Sequence, residues 1–114
     1  MSFTLVKLTD LRRSATSHSF EGGDHGARVC IILVDMRPDQ AGPRLHSHPY
    51  EEIFIVQEGR ATYTVGTQTL EITAGQIVVV PPHTPHRFTN SGDGPLRQVD
   101  IHASEKFITE WLEE

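Results

Sequence analysis

A succession of short β-prone runs, each cut off by glycine, proline or asparagine, is what most restricts the folds open to this chain. Such runs occupy Phe3 to Leu8, Arg28 to Met36, Ile53 to Gln57, Ala61 to Val65, Thr69 to Ile72, Ile77 to Val80, Arg87 to Thr89 and Leu96 to Ala103. The breaks fall at Pro38, Gly42 to Pro43, Gly59, Gly66, Gly75, Pro81 to Pro85 and Asn90 to Pro95. Helical periods between the runs would be needed to build a parallel sheet, and they are missing. The pattern therefore predicts an all-β fold, an antiparallel sandwich or small barrel. A chain of 114 residues has the length of one domain, taken as 1–114.

Two segments interrupt this rhythm. Residues 14–26 are polar and glycine-rich, so they read as a long loop with room for a short strand. Near the C-terminus, Ser104 is placed to cap a short helix reaching Leu112, with Phe107, Ile108, Trp111 and Leu112 as one apolar stripe. That stripe would cover the barrel of its own subunit or meet a second copy.

Composition narrows the partners. A net charge of -5 without any cluster of Lys and Arg argues against nucleic acid and against anionic membranes. No stretch approaches the roughly 18 apolar residues of a membrane span, and the first residues lack the apolar core of a secretion signal. The single Cys30 cannot form an internal disulfide. It sits in the hydrophobic run Val29 to Val34 without a neighbouring base and reads as a small buried residue. These features lead us to expect a cytoplasmic protein with a small-molecule partner.

Two histidine-bearing segments carry the chemistry. His46-Ser-His48-Pro-Tyr-Glu-Glu52 and Pro81-Pro-His-Thr-Pro-His86 together offer imidazoles and a carboxylate, ligands suited to a first-row transition metal. On a strand, His46 and His48 project to one face while Ser47 points away. A kink at Pro49 can bring Glu52 back to that face, and the same parity continues through Phe54 and Val56, which would supply apolar walls.

The spacing of these residues closely resembles the paired motifs of the cupin superfamily in its small single-domain form. The first motif, H-x-H-x3-E-x6-G, lies within residues 42–59 as His46, His48, Glu52 and Gly59. The second, G-x5-P-x-H-x2-H-x3-N, lies within 75–90 as Gly75, Pro81, His83, His86 and Asn90. The resemblance implies a double-stranded β-helix, or jelly-roll barrel, with a metal in its mouth held by His46, His48, Glu52 and His86. One divalent transition metal per chain is implied, as Mn, Fe, Ni, Cu, Co or Zn. Gly59, Gly75, Pro81 and Asn90 become structural positions, and a homodimer is implied as well.

Three residues depart from the family pattern. His83 stands where glycine is usual, so it must adopt the turn that glycine normally supplies, either at the pocket rim or exposed. Gln76 replaces a common acidic residue, and Gly42 lies closer to His46 than usual.

Other residues have two readings each. His102 shares a strand face with Gln98 and Asp100; that face either lines the barrel or meets water. Tyr50 is either a pocket wall or a phenolic donor, and Arg44 either meets an anionic substrate or is solvated. His18 and His25 belong to a lid or to an ordinary exposed loop. Candidate catalytic residues are Glu52, His102 and Tyr50.

Four protein ligands in an octahedral shell leave two positions open, which makes catalysis feasible. The expected function is a metal-dependent enzyme acting on a small organic substrate, with dioxygenase, isomerase or decarboxylase chemistry and with Phe54, Val56 and Phe88 shaping the pocket. A non-catalytic cupin that binds a small molecule or metal, and a barrel whose metal is purely structural, are the alternatives. Since ligand histidines must be neutral and their reference pKa is about 6.5, metal occupancy is expected to fall as pH drops toward about 5.

Overall fold

The computed structural model describes residues 2–113 and contains eleven strands in two antiparallel sheets. They are β1 (Arg12–Arg13), β2 (Ser17–Phe20), β3 (Cys30–Met36), β4 (His46–Ser47), β5 (Glu52–Glu58), β6 (Arg60–Val65), β7 (Gln68–Thr73), β8 (Ile77–Val80), β9 (His86–Asn90), β10 (Leu96–His102) and β11 (Glu110–Trp111). One sheet runs β1-β2-β3-β10-β5-β8 and the other β11-β4-β9-β6-β7. Buried side chains from both, among them Met36, Phe54, Tyr63, Val80, Phe88 and Leu96, form one core between the sheets. The fold is thus an all-β jelly-roll barrel.

Inward and outward residues alternate as the strand period requires. In β5, Glu52, Phe54 and Val56 point inward, the parity expected from the sequence. In β10, Leu96, Gln98, Asp100 and His102 are the buried set, so the polar face of this strand lines the barrel. Burying those polar groups is tolerated because they bond to one another. The Tyr63 hydroxyl donates to Gln98 Oε1 (2.6 Å), and Gln98 Nε2 donates to Asp100 Oδ1 (2.8 Å).

Two expectations need correction. The C-terminal helix does not form: the chain bends over residues 103–106, continues without helix and enters β11, which pairs with β4. Ser104 Oγ does accept the Lys106 N–H (3.2 Å), but only as a local turn. A segment this short makes a marginal helix on its own. Here its backbone groups instead bond to the barrel, with Leu112 N–H donating to Leu45 O (2.9 Å). The run Phe3 to Leu8 is not a strand and leads into a 3-10 turn at Leu8–Asp10; it pairs with no strand among the described residues, and propensity without a pairing partner does not make a strand. The 14–26 loop holds the short strand allowed for it, β2, together with a 3-10 turn at Gly22–His25.

Turn chemistry at two positions agrees with the sequence. His83 has φ +62°, the left-handed conformation that glycine would supply, and its N–H donates to His48 O (2.7 Å). Gly59 turns the chain from β5 to β6 at φ +89°, where a Cβ would lie 2.3 Å from Pro95 O. Gly75 has a similar φ of +92° but open space around it. Gly75→Ala is therefore expected to cost only the left-handed backbone penalty of about 1–2 kcal/mol. Gly59→Ala should cost clearly more, and equal urea midpoints for the two variants would contradict this.

Candidate metal centre

Strand pairing assembles the site from both sheets. β4 and β9 set His46 opposite His86, β5 and β10 set Glu52 opposite His102, and His48 follows β4 directly. Ligand atoms of His46, His48, Glu52 and His86 lie within 4.8 Å of one another, and all four residues are buried. These are the four residues that the motif resemblance singled out, and they form a group that could hold a metal ion.

The backbone sets the proton on each of three imidazoles. His46 Nδ1 donates to Arg44 O (2.6 Å), His48 Nδ1 to Ile108 O (2.7 Å) and His86 Nδ1 to Thr84 O (2.8 Å). A neutral imidazole that donates from Nδ1 carries a lone pair on Nε2. The Nε2 atoms of His48 and His86 then stand 3.1 and 3.0 Å from Glu52 Oε1. Lone pairs facing a carboxylate repel unless a cation lies among them.

A proton is a poor candidate for that cation at His46. Burial first, then the neighbouring His86 and His48, bring its pKa down to about 4 despite the Arg44 carbonyl, so it stays neutral. Burial by itself would raise the Glu52 carboxyl, but its contacts, that with His102 first, outweigh it and hold Glu52 well below the usual carboxylate range. The buried Nε2 of His48 also has no in-line hydrogen-bond partner in the protein. Adjacent ligands of an ion with bonds of about 2.1 Å stand roughly 3 Å apart, which matches the observed contacts. The donor set fits a divalent transition metal.

A cavity of about 370 Å³ adjoins these donors. Ile32, Val34, Met36, Phe54 and Phe88 give it apolar walls, and Arg12, Asp100, His102, Phe107, Thr109 and Trp111 are also among the lining residues. Val56 lies in the core and does not reach the cavity. Arg44 sits with its guanidinium carbon 5.0 Å from the Trp111 ring, and His25 stacks on Phe20 at 4.7 Å. Arg44, His18, His25 and His83 are not among the cavity residues. Cys30 is buried, as expected.

Sequence reasoning missed the contribution of the C-terminal segment: the Ile108 carbonyl that orients His48, and Phe107, Thr109 and Trp111 in the wall. Their apolar spacing fits a helix equally well, so only the pairing of β11 with β4 exposes the role. Asp100 is the other residue whose role the sequence left open. It has no cation partner, and burial first, then the Glu52 charge, raises its carboxyl well above the ordinary value.

The Cupin domain family model matches residues 32–102, from β3 to the end of β10 and across both histidine segments. The chain belongs to the cupin domain family. Among curated proteins it is 39% identical over 54 residues to the uncharacterized protein MJ1618 of Methanocaldococcus jannaschii, covering 46% of this chain and 43% of that protein. It is 40% identical over 70 residues to the polyketide synthase CurC of Streptomyces cyaneus, covering 59% of this chain and 44% of that one. The chain thus spans less than half the length of these relatives.

Among solved structures, an oxalate decarboxylase of Lactobacillus farciminis in a formate complex superposes with a TM-score of 0.78 at 22% identity, over 91% of this chain and 34% of that one. An oxalate decarboxylase of Bacillus subtilis, studied for its Mn(II) centres, superposes at 0.79 and 24%, over 92% of this chain and 31% of that one. At these identities the likeness is one of fold.

The buried Asp100 generates a stability prediction. A carboxyl whose folded pKa lies above its unfolded value binds more protons when folded, so its contribution is present below about pH 4 and lost as pH rises through the folded value. Asp100→Asn keeps an acceptor for Gln98 and removes that loss. Its melting temperature relative to wild type should rise between pH 5 and pH 8; a difference constant across that range would refute the assignment of a raised carboxyl.

Proposed function

We propose that this chain is a metal-dependent enzyme that acts on a small organic molecule carrying two oxygen donors on a hydrocarbon body, with His46, His48, Glu52 and His86 as the metal ligands. The observation that carries the reading is the convergence of three Nε2 lone pairs and one carboxylate oxygen on the edge of an apolar cavity. A bound divalent ion acts as a Lewis acid, stabilising negative charge that develops on a substrate oxygen. The rest falls to the protein's own side chains. The three backbone-anchored imidazoles stay aimed, Phe54 and Phe88 exclude water from the substrate body, and Asp100 offers a carboxyl of raised pKa at the cavity wall.

The walls argue for the substrate class. A small dianion would need several cations around it, and Arg12 alone among the lining residues is cationic without a metal-ligand role. Enolisable oxo compounds with an apolar or aromatic body suit Ile32, Val34, Met36, Phe54 and Phe88 better. Isomerisation or decarboxylation of such a compound runs through an enolate, and dioxygenation begins from the same species. The oxalate decarboxylase structures, one studied for its Mn(II) centres, support the first pair by fold likeness. A stand-alone binding cupin is the second reading, supported by the apolar cavity alone.

Elemental analysis of protein purified without chelator or nickel affinity resin is expected to find one transition-metal ion per chain. Glu52→Ala or His86→Ala should lower that stoichiometry below one tenth, and a metal-free wild type would sink the proposal. Screening loaded protein against enolisable oxo acids and diketones, with oxygen uptake and carbon dioxide release read in parallel, separates the enzyme from the binder. Tight binding without turnover across the panel would favour the binder.

We also propose a homodimer, supported by the bare apolar side chains of Phe3, Leu5, Ile77 and Val79. Sedimentation at micromolar concentration should show twice the chain mass, and a clean monomer would exclude it.

A further inference from the structure

A fourth imidazole touches Glu52, and its hydrogen-bond pattern is the reverse of the other three. His102 Nε2 lies 3.0 Å from Glu52 Oε2, the carboxylate oxygen that His48 and His86 do not approach. Its Nδ1 faces a side chain, the Tyr50 hydroxyl, at 2.7 Å, where the others face backbone carbonyls. The direction of this bond follows from a third contact. Ile108 N–H donates to the Tyr50 oxygen (3.3 Å), so that oxygen already accepts one hydrogen. The hydroxyl hydrogen needs an acceptor in a buried setting, and His102 Nδ1 is the one within reach. An imidazole that accepts at Nδ1 and is neutral carries its proton on Nε2.

We propose that His102 is a positioning residue and not a fifth ligand: Tyr50 holds it as the Nε2–H form, and that N–H engages Glu52 Oε2, so that Glu52 offers a metal Oε1 alone. This rests on the metal reading above. The burial of all three partners keeps water from competing for the same atoms. His102 Nε2 has no in-line hydrogen-bond partner although Glu52 Oε2 lies 3.0 Å away, so the contact between them is bent. A carboxylate restrained to one oxygen occupies one coordination position. A six-coordinate ion held by three imidazoles and that single oxygen would keep two positions for a substrate with two oxygen donors, whereas a two-oxygen Glu52 would close one of them.

Side-chain nitrogen NMR of the metal-free wild type tests the proton placement directly. His46, His48 and His86 are expected as Nδ1–H forms and His102 as the Nε2–H form; a His102 protonated on Nδ1 overturns the proposal while leaving the metal reading intact. Copper(II) titration with pulsed EPR then tests the role. Wild type and His102→Gln, whose amide N–H can replace the imidazole donor, should both show three coordinated imidazoles and the same spectrum. His102→Leu and Tyr50→Phe should bind copper about 10–100-fold more weakly with an altered spectrum.

An imidazole lost from the count in His102→Gln would make His102 a ligand and end the proposal. Wild-type affinity and spectrum in both His102→Leu and Tyr50→Phe would end it as well. Circular dichroism of the metal-free variants separates a fold defect from a site defect, and Tyr50→Phe preserves the ring that packs there if His102→Leu fails to fold. A wild type that takes up no copper overturns the metal reading itself and the role of His102 with it.

Discussion

Glu52 is a carboxylate 3% exposed, contacted by imidazoles from three places in the chain, and the site's other distances depend on how that buried charge is satisfied. An isolated carboxylate in such a place would take up a proton. This one is held ionised by its contacts, the one with His102 first. The cost of burying it is offset only if each imidazole presents the correct nitrogen, which is a question of hydrogen atoms settled by more distant groups.

Those groups are mostly backbone carbonyls. Arg44, Thr84 and Ile108 each accept from an Nδ1 and turn the opposite nitrogen toward the centre. Two of the three carbonyls lie two residues from the histidine they orient, so local chain geometry fixes His46 and His86. The third comes from sixty residues away, which makes His48 dependent on the C-terminal segment being in place. Tyr50 binds the same segment through Ile108 N–H and passes its own hydrogen to His102. One stretch near the end of the chain therefore sets two of the four imidazoles around Glu52.

Much of the barrel was legible in the sequence because a half-buried strand writes its period into the chain. β8 matches the run Ile77 to Val80, and β3, β5, β6, β7, β9 and β10 fall within a residue or two of theirs. The glycine and His83 turns were legible for a related reason, since left-handed backbone restricts the residues that can stand there. The two-residue strands β1 and β11 were not, because a pair of residues has no period; β4 was read only through the shared parity of His46 and His48. Phe3 to Leu8 shows the converse failure: its propensity is that of a strand, but a strand needs a neighbour.

By itself the sequence determined the fold class and the four residues of the candidate centre, because strand parity and motif spacing are short-range properties. It left undecided whether Gln98, Asp100 and His102 face water or the barrel, since an alternating strand reads the same from either side. It also misassigned the C-terminal segment, whose apolar spacing suits a helix as well as a wall. Only the tertiary structure decided these points. The pairing of β10 between β3 and β5 turns its polar face inward, and the pairing of β11 with β4 draws the C-terminal backbone onto the histidines. Which nitrogen of each imidazole is free depends on acceptors that long-range contacts bring together.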